Sequence, residues 1–250
     1  MPANCSKKSG DDYNNCNKSL LVVSQLLAQN ESMISIHPAG YFVTGSDTGV
    51  GKTYIACELI RQLRSLEVEL ETRKPVESGC SIGESGELIP ADALELQAAN
   101  NNLETIDRIA PYRFKATLAP PRAAALQGCH LQMIDLVSAC SLDNSQSRLI
   151  VEGAGGFYSP LADNGLNADL ASLLQLAVIV VINDRIGAVN QALMTIQAVE
   201  SRHLAIAAII MNQVSEDIEN DMDNSGDLRS RCDYPVFQCR YNQQLETVFG

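Results

Sequence analysis

The stretch YFVTGSDTGVGKT, at residues 41–53, constrains the fold of this chain more than any other. It begins with residues typical of a buried strand, continues through glycines, and leads into residues 54–66, whose apolar spacing is helical. A glycine-rich turn between a strand and a helix lets backbone N–H groups point at an anion, and the helix adds its positive N-terminal end. One residue more than usual separates Gly45 from Gly51, and Ser46 stands at an expected glycine position. The order of strand, turn and Gly-Lys-Thr predicts a phosphate-binding loop.

Two side chains of this loop suit a nucleoside triphosphate. Lys52 is placed to reach the outer phosphates, and the Thr53 hydroxyl is placed to bind a magnesium ion. Magnesium prefers oxygen ligands and commonly takes one or two carboxylates. Glu152 is a candidate because it follows an apolar strand and precedes a glycine-rich run. Asp92 is a second candidate, although a carboxylate at a predicted helix start can equally serve as a helix cap.

Apolar strands alternate with helical patterns along the rest of the chain. We predict strands at residues 70–75, 148–151, 176–182, 204–211 and 235–237, and helices at residues 54–66, 90–100, 120–125, 130–140 and 187–202. The strand at 148–151 is expected to end abruptly at Glu152. This alternation implies a three-layer α/β/α fold with a mostly parallel central sheet. Ligands of such sheets collect at the carboxyl ends of strands, and Lys74 is expected at that same edge.

Composition argues against some classes of partner. A chain of 250 residues with 46% hydrophobic content can bury a full core, so we expect one domain over residues 39–250. The net charge of −12 argues against a nucleic-acid partner, because phosphate backbones are bound through clustered Lys and Arg. The eight cysteines include no C-x-x-C pair, so reduced cysteines in a cytoplasmic protein are the simplest interpretation.

Residues 1–38 are polar and rich in Asn and Ser, and we expect a weakly ordered extension outside the fold. Within it, residues 20–27 have the pattern of a short amphipathic helix. We do not expect a secretory signal peptide, because Asp11 and Asp12 separate the preceding lysines from the apolar residues. No apolar run in the sequence approaches the ~20 residues of a membrane-spanning helix, so we expect no membrane attachment.

Six segments, in the same order and at similar spacing, resemble the dethiobiotin synthetase family of the P-loop NTPase superfamily. They are GSDTGVGKT, KPVESG, the ADAL segment, VEGAGG, RIGAVNQA and the strand end MNQ. The resemblance covers roughly residues 40–215. The pair KPV-x-SG and VEGAGG is more specific than the phosphate loop, which many ATPases share. The C-terminal stretch YPVFQCRYN matches the family least.

The resemblance implies an ATP-dependent ligase of biotin biosynthesis. Members of the family add CO2 to 7,8-diaminononanoate as a carbamate, phosphorylate the carbamate with ATP and close a ureido ring, which yields dethiobiotin, ADP and phosphate. The resemblance also implies Mg²⁺ as cofactor, ATP as co-substrate and a homodimer. The carbamate and ATP are both anions, so cationic groups are needed where they react.

The resemblance further assigns roles to individual residues. Lys74 and Lys52 are implied to be catalytic, and Thr53, Asp92 and Glu152 to bind magnesium. ATP contacts are implied for Gly49, Val50, Gly51, Lys52, Thr53, Tyr54, Asp92, Glu152, Gly153, Ala154, Gly155, Asn212 and Gln213. Substrate contacts are implied for Thr48, Ser78, Gly187 and Asn190. The last two open a helix that, in the family, holds the substrate carboxylate across a dimer interface.

A regulatory ATPase of the partition and septum-placement type is the alternative on the same fold. Such proteins carry an additional lysine early in the phosphate loop, at the position where this chain has Asp47. They also attach to membranes through a basic amphipathic helix at the C-terminus, and no such pattern follows here. Phosphate release that depends on the diamine would separate the two functions.

Overall fold

The structure is a computed structural model that describes residues 33–216 and 222–250. The sequence before residue 33, with the amphipathic helix predicted at 20–27, lies outside the described residues. The strands are β1 (Gly40–Gly45), β2 (Leu70–Arg73), β3 (Val76–Ser78), β4 (Ser81–Ile82), β5 (Leu88–Ile89), β6 (Tyr112–Phe114), β7 (Arg148–Gly156), β8 (Pro160–Ala162), β9 (Gly165–Leu166), β10 (Ala177–Asn183), β11 (Ile206–Asn212) and β12 (Val236–Cys239).

The helices complete the set of elements. They are α1 (Lys52–Ser65), α2 (Ala91–Ala99), α3 (Ile106–Ile109), α4 (Pro120–Leu126), α5 (Met133–Ala139), α6 (Asn167–Leu174), α7 (Ala188–Glu200) and α8 (Asn224–Arg229). Within residues 33–216 and 222–250, none of these helices combines the length and the apolar character needed to cross a bilayer.

The central sheet has six strands in the order β12-β11-β10-β1-β7-β2. Every neighbouring pair in it is parallel. Because all six strands point the same way, their carboxyl ends meet at one edge, and β1 brings the phosphate loop to the middle of that edge. The predicted parallel sheet is confirmed.

Helices cover both faces of this sheet. Tyr41 and Val43 of β1 belong to a core that also contains residues of α1, α2 and α3. Phe42 belongs to the opposite core, which contains residues of α4, α5, α6, α7 and α8. Successive side chains of a strand point to opposite faces, so one short apolar strand serves both cores. The predicted three-layer α/β/α architecture is confirmed.

The predicted major elements are all present, with one error at β7. The sequence predicted that this strand ends at Glu152, but it continues to Gly156, with a shift in its register against β1. The glycines make the continuation possible because a side chain would clash: a Cβ on Gly153 would lie 2.5 Å from Asn167 Oδ1. Glu152 therefore stands inside a strand, where it pairs with Val43 of β1.

The first described residues contact the end of the chain. Ile34 N donates to the Val248 carbonyl at 2.8 Å, and the Tyr41 hydroxyl donates to the Ser35 carbonyl at 3.3 Å. The ring of Phe249 packs 5.3 Å from that of Tyr41, centroid to centroid. The boundary predicted at residue 38 thus falls within a segment that contacts the core.

Candidate active site

The phosphate loop connects β1 to α1 as the sequence predicted. Gly49 and Gly51 have φ of 74° and 84°, in the left-handed region that favours glycine. Gly51 is the N-cap residue of α1 and offers no side chain to the first N–H groups of that helix. These groups are therefore open to an anion, and the helix dipole favours negative charge at the same point.

A cavity of about 580 Å³ opens beside this loop. The predicted site residues that line it are Thr48, Gly49, Gly51, Lys52, Thr53, Lys74, Ser78, Asp92, Glu152, Ala154 and Gly155. The lining residues that were not predicted are Glu77, Thr117, Leu118, Ala119, Pro120, Ser159 and Pro160. The remaining predicted residues, Val50, Tyr54, Gly153, Gly187, Asn190, Asn212 and Gln213, lie outside the lining. Most of the predicted phosphate, metal and catalytic residues thus share one cavity.

Lys74 lies at the centre of a charged cluster in this cavity. Its Nζ is 2.7 Å from Asp92 Oδ2 and 2.5 Å from Glu152 Oε1. The Thr53 hydroxyl donates to the same Glu152 oxygen at 2.9 Å. Lys74 is 3% exposed and Glu152 is 1% exposed, so these charges interact with little screening by water. The cluster joins the residue after β2, the first turns of α1 and α2, and the middle of β7.

Burial and neighbouring charges shift the ionisation of this cluster. Burial disfavours the charged form of Lys74, but the carboxylates of Glu152 and Asp92 outweigh burial and raise the pKa of the lysine. Burial raises the pKa of Glu152, and the Lys74 ammonium opposes that rise. For Asp92, Lys74 outweighs the effect of burial and lowers the pKa. Lys74 is therefore held as an ammonium group between two acids.

Lys52 is in a different electrostatic environment. Burial, together with repulsion from Lys74, lowers the pKa of Lys52 to about 8. Its Nζ donates to the Asp47 carbonyl at 2.9 Å, and this bond holds the Lys52 side chain against the phosphate loop. Two ammonium groups thus face one cavity, and a polyanion bound there would relieve the repulsion between them.

The donor set of the cluster fits a magnesium ion. Glu152 Oε2 is buried and has no hydrogen-bond partner among the described residues. Two carboxylates and the Thr53 hydroxyl supply the hard oxygen atoms that Mg²⁺ prefers. In the described part of the chain, no group of three or more His, Cys, Asp or Glu side chains is arranged to hold a metal. Phosphate oxygens and water would therefore have to complete the shell.

Two buried polar residues that sequence reasoning missed hold the backbone of the site. Glu77 accepts from the N–H groups of Asp92 and Ala93, each at 3.0 Å. Asn167 accepts from Ala154 N at 3.0 Å and donates to the carbonyls of Ala154 at 2.7 Å and Gly156 at 3.0 Å. The one available signal was for Glu77: a helix that opens at a proline has no capping side chain, so another group must pair with its N–H groups.

Two of the predicted ATP contacts, Asn212 and Gln213, lie beside the loop at the end of β11. Asn212 Nδ2 donates to the Val50 carbonyl at 2.9 Å. Gln213 Oε1 accepts from Tyr241 N at 3.3 Å, and the Tyr54 hydroxyl donates to a carbonyl of the same C-terminal segment at 3.0 Å. These bonds tie β11 and the C-terminal segment to the phosphate loop, whereas the contacts of Asn212 and Gln213 with ATP stay predictions.

Gly187 and Asn190 lie apart from the cavity, at the start of α7. Gly187 is the N-cap residue of this helix with φ of 88°, and both residues are exposed. The helix opens as the sequence predicted, and the substrate contacts of both residues stay predictions.

Comparison with known proteins identifies the family. A family described as "AAA domain" matches residues 39–244. The ATP-dependent dethiobiotin synthetase BioD of Vesicomyosocius okutanii is 44% identical over 175 residues, which cover 70% of this chain and 79% of the relative. The protein with the same name in Ruthia magnifica is 43% identical over 175 residues, which cover 70% and 80% of the two chains.

Among solved structures, the signal recognition particle receptor FtsY of Elizabethkingia anophelis shares 14% sequence identity, with a TM-score of 0.47 over 91% of this chain and 67% of the receptor. That likeness is too distant to bear on function. The matched relatives and the gathered lysines, carboxylates and glycine loop place this chain in the ATP-dependent dethiobiotin synthetase family, within the AAA-domain family.

Proposed function

We propose that this chain forms dethiobiotin from 7,8-diaminononanoate, CO2 and ATP, through a carbamate that ATP phosphorylates. One observation supports this function above the others. The Lys74 ammonium lies 2.5 Å from Glu152 Oε1 and 2.7 Å from Asp92 Oδ2, in the cavity that the phosphate loop lines. Lys74 and Lys52 thus bring two ammonium groups to the phosphate site, where a reaction between two anions needs positive charge.

The chemistry has three steps. A neutral amine of the diamine attacks CO2 and loses a proton, which leaves a carbamate anion. An oxygen of the carbamate attacks the γ-phosphorus of ATP, and ADP leaves. The second amine, also neutral, then attacks the carbonyl carbon of the mixed anhydride, the C–O bond to phosphate breaks, and the ureido ring closes as the amine proton passes to the departing phosphate. An alkyl amine has a pKa of about 10, so the site must bind the minor, neutral form for the first step.

The side chains of the cavity meet the electrostatic needs of these steps. Lys52 and the first N–H groups of α1 bind the triphosphate, and Lys74 stabilises the charge that develops as the phosphoryl group moves. The cavity lining also includes Leu118, Ala119, Pro120 and Pro160, whose side chains carry no polar groups.

Magnesium would be held by Thr53, Asp92 and Glu152. When bound, it supplies positive charge that offsets the repulsion between the carbamate and the triphosphate. The Lys74 ammonium already contacts Asp92 Oδ2 and Glu152 Oε1, so it competes with a cation for those two atoms. Glu152 Oε2 has no such competitor among the described residues.

Thr48 and Ser78 both line the cavity and are the proposed contacts of the diamine or its carbamate. Gly187 and Asn190 lie outside this lining, so in a single chain they are not placed to reach the same substrate. We therefore infer a homodimer in which the start of α7 in one subunit holds the substrate carboxylate in the cavity of the other. A helix N-terminus favours such an anion.

Phosphate release by the purified protein tests this function. We expect release only when the diamine, bicarbonate, Mg²⁺ and ATP are all present, with dethiobiotin formed in equal amount. A Lys52→Met preparation measures the background from contaminating ATPases, because it lacks the ammonium group of the phosphate loop. ATP turnover that proceeds without the diamine would contradict the proposal and favour the regulatory ATPase.

A further inference from the structure

The helix that carries Asp92 begins without a cap of its own. Its N-cap residue is Pro90, which makes no side-chain hydrogen bond to the helix. The first N–H groups of an α-helix have no partner within the helix, and burying them unpaired costs free energy. Here the partner comes from another element. Glu77 Oε1 accepts from Asp92 N and Glu77 Oε2 accepts from Ala93 N, both at 3.0 Å.

Glu77 connects two parts of the candidate site. It is the middle residue of β3, directly before Ser78, and it is 5% exposed. Both Glu77 and Ser78 line the cavity together with Asp92. The side chain of Asp92 leaves the capped turn and reaches Lys74 Nζ at 2.7 Å. The buried Glu77 carboxylate therefore connects β3, which contains the predicted substrate contact Ser78, to the first turn of α2, which contains the predicted metal ligand Asp92.

We propose that Glu77 is a positioning residue, whose carboxylate fixes the first turn of α2 and thereby aims the Asp92 carboxylate at Lys74 and at the cation of the site. This inference rests on the proposed function, because it takes Asp92 to be a magnesium ligand. Both oxygens of Glu77 are engaged by N–H groups, so we assign it no contact with the substrate. The helix dipole stabilises its negative charge at this point.

The two-oxygen arrangement explains why a glutamine would not substitute for Glu77. Glutamine has the same shape but one acceptor oxygen, so Glu77→Gln turns an NH2 group toward one of the two N–H donors. One of the two hydrogen bonds is lost, and the first turn must move to separate the donors. Because Asp92 lies in that turn, its carboxylate moves with it.

The measurement is the gain in affinity that Mn²⁺ gives to a non-hydrolysable ATP analogue, read by calorimetry with Mn²⁺ and with EDTA. We expect Glu77→Gln to reduce this gain about tenfold, the size of effect typical when the support of a metal ligand is removed. Affinity in EDTA should stay at the wild-type value, because the phosphate loop does not depend on Glu77. A merely structural role would lower both affinities.

Asp135→Asn is the matched control. Asp135 also pairs with an N–H group at a helix start, since Gln132 N donates to it at 2.9 Å, but it lies outside the cavity lining. This variant removes the same negative charge from a helix start and should keep the full Mn²⁺ effect. An equal loss of the Mn²⁺ effect in Asp135→Asn and Glu77→Gln would overturn the inference.

A double variant tests the path through Asp92. In an Asp92→Asn background, Glu77→Gln should cause no further loss of the Mn²⁺ effect, because the group it positions is gone. An undiminished Mn²⁺ effect in Glu77→Gln, or an equal loss in both backgrounds, overturns the inference. If Glu77→Gln does not fold, Glu77→Asp replaces it, because aspartate keeps the charge but has a shorter side chain. A full Mn²⁺ effect in Glu77→Asp would likewise overturn the inference.

These measurements use no diamine, so they are independent of the overall reaction. If the wild type shows no diamine-dependent phosphate release, the proposed function fails, while the role of Glu77 toward Asp92 is still decided by the calorimetry. If the wild type makes dethiobiotin and Glu77→Gln keeps the full Mn²⁺ effect, the proposed function stands and the inference fails.

Discussion

Lys74 is charged and nearly inaccessible to water, which is an unusual state for a lysine. It is 3% exposed, and a buried charge is costly unless it is paired. The carboxylates of Asp92 and Glu152 pair with it at 2.7 and 2.5 Å. These two contacts position the ammonium group before the reaction begins. A preorganised charge of this kind can stabilise the transition state with little reorganisation of the site.

Lys74→Ala should spare ATP binding and remove most of the ring closure. In the proposed mechanism the phosphate loop and Lys52 bind the nucleotide without help from Lys74, whereas the loss of one preorganised charge typically slows a reaction by about 10²–10³-fold. Binding of an ATP analogue and single-turnover formation of dethiobiotin measure the two effects. Lys115→Ala, an exposed lysine outside the cavity lining, should behave as wild type. Product formation at the wild-type rate in Lys74→Ala would remove the catalytic role.

Asn167→Asp should destabilise the glycine-rich part of β7. The amide of Asn167 donates to the carbonyls of Ala154 and Gly156 at 2.7 and 3.0 Å, and a carboxylate would oppose both carbonyls in a fully buried place. We expect a loss of roughly 1–3 kcal/mol or more, the penalty for buried groups left without partners, measured by urea denaturation. The exposed Asn101→Asp is the control and should change stability by less than about 0.5 kcal/mol. Equal stability of both variants would contradict this role.

Sequence reasoning found the site residues that belong to local patterns and missed those that act over distance. Lys52 is part of a recognisable loop, and Glu152 follows an apolar strand and precedes a glycine-rich run. Glu77 and Asn167 take their roles from elements that lie 15 and 13 residues away in the chain. No periodicity or spacing connects such pairs, so only the folded structure reveals them.

The edge strand of the sheet, β2, is protected by buried charge. On the side of β2 that has no neighbouring strand, Thr72 N donates to Glu104 Oε2 at 2.7 Å. Just beyond β2, Lys74 N donates to the Ile109 carbonyl at 2.8 Å. The guanidinium of Arg73 is fully buried and pairs with Glu104. An uncovered edge would be open to pairing with other chains, and here a carboxylate and a loop cover it.

Glu104→Ala should lower the free energy of unfolding by about 3–5 kcal/mol, because it removes one of the two carboxylates that pair with the buried Arg73 and also the acceptor of Thr72 N. Asp107→Ala is the control. Asp107 forms an exposed salt bridge with Arg113 at 2.6 Å, and its loss should lower the free energy of unfolding by less than about 1 kcal/mol. Urea denaturation of both variants gives the comparison. A similar small loss for both would show that the Arg73 network contributes little to stability.

At the scale of elements, long periodic segments were predictable and short ones were not. The apolar run at residues 176–182 predicted β10 because a central parallel strand is covered on both faces. Strands such as β3 and β9 have too few residues to show any period. The continuation of β7 through its glycines was also missed, because those residues resemble a turn in the sequence while the bonds from Asn167 hold them in the strand.

The whole molecule is acidic, yet its site is suited to anions. The net charge is −12, so the overall field repels ATP and the carbamate. In the proposed mechanism, binding must therefore come from local groups, which are the N–H groups of the phosphate loop, the two lysines and the magnesium ion that the site would hold. We therefore expect contacts inside the cavity, rather than long-range electrostatic attraction, to determine the affinity for ATP and the carbamate.

The start of α7 makes a prediction about assembly. Ile186 and Met194 are 69% and 63% exposed beside Gly187 and Asn190, which is a large apolar exposure for a helix that opens toward solvent. We expect sedimentation to give twice the mass of one chain, and Ile186→Glu to shift the protein toward the monomer by burying a charge in the interface. The monomer should bind ATP but show a raised KM for the diamine, because the substrate carboxylate loses its helix end.

The control for this prediction is Ile134→Glu, at a residue of α5 that is 66% exposed and lies outside the cavity lining. It adds the same charge to a different surface and should leave both the mass and the KM unchanged. A wild-type protein that sediments as a monomer with full activity would contradict the dimer. An Ile186→Glu dimer with an unchanged KM would instead place the interface on another face, and Gly187 and Asn190 would then lose their role in substrate binding.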